Sequence, residues 1–425
     1  MATDGSCFKN GERDAKAGAG IFVKEHHPLN RSFRLPENIE QSNQTGEITA
    51  TLLATMTAPK DVRVIQETDS KTTMDALTKW QQRHEDTGYI MQKNAILLQT
   101  VTARLRMRQG HTLFRWVKGH NGHIGNEAAD KLAAIGAGKE KGEPLPLSIP
   151  LAFMVTGAKL QCMTQKLAYR AIRALEDKRT DPRPRTMANM DRIVSGLEAC
   201  FDIKAHDTTI WSSLRSKHVS RPASQFMWMA IHDAYMIGTH WLRPNMSNEM
   251  RARAICAICG EQESMSHILF ECKARGQELI WALLKNLWEL TGAEWKEPCW
   301  GNTFGAACAV FKSDKGCRKT ATEHLWCILS TETTHFIWKM RCERVIQKEG
   351  EEFTENEIAN RFVSTLDGRL NLDRRTAARA RTLGKKALKP HEVEQIWLPV
   401  INDKEHLPPR WVTDSGVLVG IKRGR

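Results

Sequence analysis

Between Gly136 and Pro150 the sequence changes its hydrophobic rhythm, and that change constrains the fold more than any other feature. The segment Gly136-Ala-Gly-Lys-Glu-Lys-Gly-Glu-Pro144-Leu-Pro146, soon followed by Pro150, combines helix-ending glycines, alternating charge and prolines, which suits an exposed connection. Before it, alternation in Val62-Arg-Val64-Ile65 and Leu113-Phe-Arg-Trp116-Val117 predicts strands, while Ile48, Leu52, Leu53 and Met56 recur at helical spacing. After it, Leu160 to Leu175, Phe226 to Ile237, Glu278 to Leu290 and His324 to Ile346 are helically periodic with few β-branched runs. The pattern predicts an α/β domain over 1–138, a linker over 139–150, a helical region over 151–300 and a helical C-terminal region over 301–425. A chain of 425 residues exceeds the size at which one core usually stops growing, which agrees with several packing units.

The formal charge of +13 favours a polyanionic partner, although net charge speaks to association and not to fold. Residues 151–255 carry 16 basic against 9 acidic side chains, which makes this segment the electrostatic candidate; the bland alternative is a solvated helical surface. No apolar run approaches the roughly 18 residues of a membrane span. The start, Met1-Ala-Thr-Asp-Gly-Ser6, lacks the basic-then-apolar order of a signal peptide, so the expectation is a soluble intracellular protein of the nucleus or cytoplasm, without membrane association. Eleven scattered cysteines, two of them spaced Cys-x-x-Cys, read as free thiols plus a metal site rather than a disulfide framework.

Four carboxylates stand where short polar motifs interrupt apolar segments: Asp4, Glu47, Asp69 and Asp130. Asp69 ends the predicted strand Val62 to Thr68, Glu47 lies in the first turn of a helix, and Asp130 lies on the helix running to Ala134. A strand end, a helix start and another strand can converge on one point. Clustered carboxylates repel unless a cation neutralises them, and their hard oxygens suit Mg²⁺. For any one of them alone, a capping or surface role is the ordinary reading.

The order of the motifs decides between these readings, because over nearly all of residues 2–137 it resembles type 1 ribonuclease H. The resemblance rests on Thr3-Asp-Gly-Ser-Cys7 with Asn10, His27-Pro-Leu-Asn30, Ser42-Asn-Gln-Thr-Gly-Glu47, Glu67-Thr-Asp-Ser70 and Trp116-Val-Lys-Gly-His-Asn-Gly-His-Ile-Gly-Asn-Glu-Ala-Ala-Asp130. It implies an α/β ribonuclease H-like domain, a mixed sheet with flanking helices. It implies that Asp4, Glu47, Asp69 and Asp130 form an acidic tetrad for two Mg²⁺ or Mn²⁺ ions, with His120 on a mobile loop. Asn10, Asn43 and Gln44 would be the hybrid-binding positions, their amides meeting the groups that distinguish RNA from DNA. His120 has its own case, since an imidazole in a Gly-flanked loop can carry protons between solvent and a reacting oxygen. His123 reads as structural. Only three residues precede Asp4, fewer than family members usually have, so a shortened central strand is expected.

Farther on, Cys256-x2-Cys259-x7-His267-x4-Cys272 is a soft-ligand set compatible with tetrahedral, structural Zn²⁺. With Ile210-Trp-Ser-Ser-Leu214, Ser220 to Trp228, His232, Trp241 and Trp281 around it, this region resembles the zinc-binding segment that follows reverse transcriptase in retrotransposons. Its helical aromatics, at three- and four-residue intervals, read as core rather than base-stacking platforms. His335 to Cys342 and Gly416 to Ile421 resemble tails of fungal mobile-element proteins. The chain is thus expected to be a retroelement-derived endoribonuclease cutting the RNA strand of RNA–DNA hybrids, with a reverse transcriptase as an expected partner. The alternative is a decayed nucleic-acid-binding protein that uses its basic, zinc-containing helical region.

Overall fold

Lys16-Ala-Gly-Ala-Gly-Ile-Phe22 alternates alanine or isoleucine with glycine, and that alternation lets a strand be approached closely from one side. It forms β2 (Lys16–Phe22), flanked by β1 (Ala2–Phe8) and β3 (Arg31–Arg34); β4 (Val64–Thr68) and β5 (Thr112–Trp116) complete a five-stranded sheet of order β3-β2-β1-β4-β5. The pairs β1–β2 and β2–β3 are antiparallel, while β1–β4 and β4–β5 are parallel. Parallel neighbours need crossovers. Helix α1 (Asn43–Thr57) supplies the first; α2 (Lys71–Leu77), α3 (Gln81–Asp86) and α4 (Ala95–Arg106) supply the second; α5 (Ile124–Gly138) follows β5. This is the mixed sheet with flanking helices expected for the first domain, in a computed structural model that describes residues 1–384, 387–414 and 416–422.

Ala17, Ala19 and Ile21 of β2 are buried with Phe33 and Leu35 against Ala50, Leu53 and Ala54 of α1. On the other face of β2, a Cβ at Gly20 would lie 2.1 Å from the Ala129 carbonyl oxygen, and one at Gly18 would lie 2.2 Å from the Ala137 nitrogen, so α5 sits directly on the strand backbone. The far side of α1 carries Ile48 and Leu52 into a second cluster with Leu77, Tyr89, Leu97, Leu98 and Val101.

All seven residues of β1 pair with β2, whereas its ladder with β4 is the single pair Ala2↔Glu67. At the β1–β4 seam the Thr3 hydroxyl also donates to the Glu67 carbonyl at 3.2 Å. Asp4 is held in place by β2, opposite Gly20. Beside it, a Cβ on Gly5 would stand 2.2 Å from the Glu47 nitrogen and 2.5 Å from the Gly46 carbonyl carbon, both backbone atoms of α1. An added methyl in a strand normally gains about 0.5–1 kcal/mol. Here the clash meets backbone that cannot rotate away, so Gly5→Ala is expected to destabilise the protein by about 1–3 kcal/mol. Urea denaturation with an unchanged midpoint would contradict this.

The chain divides into two compact units, Met1–Asp181 and Pro182–Arg425, rather than at the expected linker. Residues 139–150 are no free connection, because Glu143 accepts from Arg34 N at 3.2 Å, Lys139 pairs with Glu143 at 2.8 Å, and the Thr100 hydroxyl donates to the Leu147 carbonyl at 3.4 Å. Leu145 and Leu147 pack on the two apolar clusters of the first unit. The segment reads as an exposed connection in sequence, but its alternate residues turn inward.

In the second unit one apolar core runs from Met190 to Ile421, so the boundary expected at residue 300 has no counterpart among the described residues. The expected helices are present as Gln165–Arg179 in the first unit and Arg221–Ile231, Gln277–Glu289 and Thr320–Cys342 in the second. The helix predicted to reach Ile237 ends at Ile231, where Asp233 turns at φ +49°. Thr320–Cys342 is buried on most of its circumference, and two of its buried threonines are satisfied within the helix, the Thr331 and Thr334 hydroxyls donating to the Cys327 and Ser330 carbonyls at 2.8 and 2.6 Å, while the buried Thr333 hydroxyl has no partner. Phe226, Trp281 and Trp288 lie in the core, as the spacing of the aromatics predicted, while Trp228 is half exposed. Of the Arg-rich stretch 369–389, Lys385 and Lys386 lie outside the described residues.

His218 is buried and stacked on His324, with ring centroids 3.7 Å apart. Burial first, then the neighbouring His324, Lys217 and Arg369, pushes its pKa down to about 3, with Glu392 opposing them. An unfolded imidazole protonates near pH 6.5. Between these values the unfolded chain takes up a proton that the folded one refuses, so stability is lost as pH falls through that window. His218→Phe keeps the stack without the titration, and it is expected to flatten the fall in melting temperature between pH 6.5 and 4. An unchanged slope would refute the attribution.

Candidate active site

Continuing the β1–β4 register by two residues from Ala2↔Glu67 brings Asp4 level with Asp69 across parallel strands. Glu47 reaches the same place from α1, whose N-terminus is fixed by Ser42 accepting from the Thr45 nitrogen. That helix begins at Asn43, so Glu47 lies in its second turn rather than the first. One carboxylate oxygen from each of Asp4, Glu47 and Asp69 lies within 4.8 Å of the others. Asp4 and Glu47 are buried and Asp69 is partly exposed. Gly119 lies close enough that a Cβ there would stand 2.3 Å from Asp69 Oδ2, and the Trp116 indole donates to the Asp69 carbonyl at 3.0 Å.

The carboxylates resist being charged together. Burial, then the Asp69 charge, pushes the Asp4 carboxyl up to about 7. Burial, then Asp4 and Asp69, holds Glu47 well above the usual carboxylate range. Glu47 Oε2 is buried with no hydrogen-bond partner. Like charges, an orphaned buried oxygen and an all-oxygen donor set fit a hard divalent cation such as Mg²⁺ or Mn²⁺.

Asp130 stands outside the compact trio, half-buried on α5, yet near enough for its charge to add to the upward push on Asp4. His120 is exposed at φ +51° in the loop that also holds Gly122 at φ +76°. His123 instead caps α5, its Nδ1 accepting from the Asn126 nitrogen at 3.2 Å while its Nε2 lies 3.7 Å from Glu67. Asn43 and Gln44 occupy the first turn of α1, and the Asn43 nitrogen donates to Asn10 Oδ1 at 3.4 Å, so these positions gather at one helix end. Asn126 was missed by sequence reasoning: its amide nitrogen donates to Asp69 Oδ2 at 3.2 Å and Asp4 Oδ2 at 3.4 Å. The available signal was its place four residues before Asp130, on the same helical face.

In the second unit Cys256, Cys259, His267 and Cys272 also offer ligand atoms within 4.8 Å of one another. Cys256 N donates to the Glu261 carbonyl at 2.8 Å and Gly260, at φ +70°, turns the chain between the first two thiols and the bridge Ile255↔Gln262. Cys272 Sγ lies 3.9 Å from Cys256 Sγ and 3.8 Å from Cys259 Sγ. A tetrahedron with metal–sulfur bonds of about 2.3 Å has edges of about 3.8 Å, far longer than a disulfide. His267 Nε2 is buried without a hydrogen-bond partner. The donor set and its spacing fit Zn²⁺.

A mixed five-stranded sheet with carboxylates meeting at its central seam defines the class, and the RNase H family model matches residues 1–138. The chain belongs to the ribonuclease H family. It is 38% identical over 141 residues to ribonuclease H1 of Homo sapiens, covering 32% of this chain and 48% of that protein. Against the ribonuclease H of Zymomonas mobilis it is 33% identical over 139 residues, covering 32% of this chain and 85% of that protein. The solution structure of the PFV RNase H domain aligns at 25% identity with TM-score 0.26, over 32% of this chain and 92% of that one. The chain spans about half the length of the human and rodent relatives it matches.

Proposed function

We propose that this chain hydrolyses the RNA strand of RNA–DNA hybrids with the help of two divalent ions, Mg²⁺ or Mn²⁺. The observation that carries the reading is the convergence of Asp4, Glu47 and Asp69 from β1, α1 and the end of β4 within 4.8 Å. Two such ions, when bound, would supply an activated water and stabilise the leaving oxygen in phosphodiester cleavage. Asp4, Glu47 and Asp69 would hold the first position and Asp130, one turn beyond Asn126 on α5, would complete the second. His120 on its exposed loop would exchange protons with solvent at the scissile site. Asn10, Asn43 and Gln44, gathered at the start of α1, would meet the 2′-hydroxyls and bases of the hybrid.

The Cys256, Cys259, His267 and Cys272 set would hold a structural Zn²⁺ with all four positions filled by protein. The order of a ribonuclease H domain, a basic helical segment and this Cys/His unit supports descent from a retroelement with a reverse transcriptase as partner; the nucleus or cytoplasm is the proposed place of action. The test is incubation of the full chain with labelled RNA–DNA hybrid, double-stranded RNA and DNA duplex, each with Mg²⁺ and with EDTA. Cleavage confined to the RNA of the hybrid, and lost with EDTA, is expected. Salt-sensitive binding without cutting would overturn the enzymatic reading.

A further inference from the structure

We infer that Asn126 is a positioning residue for the metal centre, holding the Asp4 and Asp69 carboxylates in register through one amide nitrogen; the inference rests on the metal-assisted reading above. Asn126 is 2% exposed, and its Nδ2 spans Asp69 Oδ2 at 3.2 Å and Asp4 Oδ2 at 3.4 Å. A side-chain amide carries two N–H donors on that atom, one for each carboxylate. The donor is neutral, so it offsets part of the repulsion between the two acids without taking the place of a cation. Each carboxylate oxygen has further lone pairs, so a hydrogen bond to Oδ2 leaves room for a metal on the same group.

Three features fix the amide where it is. Its backbone nitrogen is held by His123 Nδ1 at 3.2 Å at the start of α5. One turn later Ala129 presses its carbonyl onto Gly20, the residue paired with Asp4, so α5 cannot slide along β2. The amide orientation is set by its two acceptors, which leaves Oδ1 buried and without a hydrogen-bond partner. An amide tolerated with one orphaned oxygen is costly to keep for packing alone, because a buried unsatisfied acceptor is destabilising. Hydrogen bonds to ligating carboxylates orient the ligands, and removing such partners typically weakens metal affinity or activity about 10–100-fold.

The experiment compares the full-length wild type with Asn126→Ala and Asn126→Ser. Two quantities are read: the Mg²⁺ concentration at the midpoint of the metal-induced rise in melting temperature, and the Mg²⁺ dependence of hybrid cleavage. For Asn126→Ala both midpoints are expected to move upward about 10–100-fold, with the cleavage rate at saturating Mg²⁺ recovering most of the wild-type value. Asn126→Ser, whose hydroxyl can serve one carboxylate, is expected to fall between the two, and it carries the test if the alanine variant fails to fold. Midpoints equal to the wild type in a folded variant overturn the inference. So does a loss of maximal rate with unmoved midpoints. If the wild type binds Mg²⁺ but does not cut, the enzymatic reading falls while the midpoint comparison still judges Asn126.

Discussion

Asp69→Ala is expected to leave the first unit folded and to reduce hybrid cleavage by about 10³-fold or more. Charge stabilisation at a divalent centre amounts to several kcal/mol, and about 4 kcal/mol corresponds to three decades in rate. The fold should survive because Asp69 is not in an apolar cluster and its backbone carbonyl still accepts from the Trp116 indole. The sign of the stability change separates this outcome from simple damage. In the absence of metal, the Asp69 charge helps push up both Asp4 and Glu47, so its removal relieves repulsion between buried acids. The metal-free variant should therefore melt no lower than the wild type, and the stabilisation by Mg²⁺ should shrink. Measuring cleavage and melting with and without Mg²⁺ on the same preparation checks both halves. A variant that still cuts at near wild-type rate would remove Asp69 from the reaction.

How much of this was legible beforehand follows from what each residue depends on. The four acids were legible because they sit in short motifs whose order is itself the signal, and three of them do converge. Strands β4 and β5 announced themselves through alternating apolar residues, but β2 did not. Its Ala-Gly-Ala-Gly run carries almost no hydrophobic contrast, because the strand is built to be touched by the backbone of α5 rather than by side chains. Asn126 was missed for a related reason: apart from its spacing to Asp130, a lone asparagine near a helix start reads as a capping residue, and only the tertiary approach of α5 to β1 gives its amide two carboxylates to serve. The strap over 139–150 was misread because glycine, proline and charge report local conformation and not what the inward-facing Leu145 and Leu147 will touch. The continuous core of the second unit was hidden similarly, since contacts such as those joining Met190 to Ile421 leave no trace in local periodicity.

Removing zinc is expected to cost the second unit most of its margin. In small zinc domains the apparent binding free energy of the ion is about 10–16 kcal/mol at neutral pH, and it counts as folding free energy. Here the Cys/His unit would be only partly dependent on a bound ion: Met265, Ile268 and Leu269, which lie between the four side chains, are anchored in the main apolar core, whereas Cys256, Cys272 and Ala274 form a small cluster of their own. If about a third of that free energy is lost, at roughly 2–4 °C per kcal/mol for a unit of this size, the melting temperature falls on the order of 10 °C. The helical circular dichroism should persist at 25 °C, because the core around Thr320–Cys342 does not contain the ligands' side chains. Cys272→Ser is the sharpest probe, since its thiol lies 3.8 and 3.9 Å from both other sulfurs and its loss opens both sulfur–sulfur edges it makes along with its edge to His267. Elemental analysis should find about one zinc per wild-type chain and little in the variant, with the melting transition lowered in parallel. A wild-type chain purified without zinc, whose melting is indifferent both to added Zn²⁺ and to Cys272→Ser, would mean that the four side chains meet for packing alone.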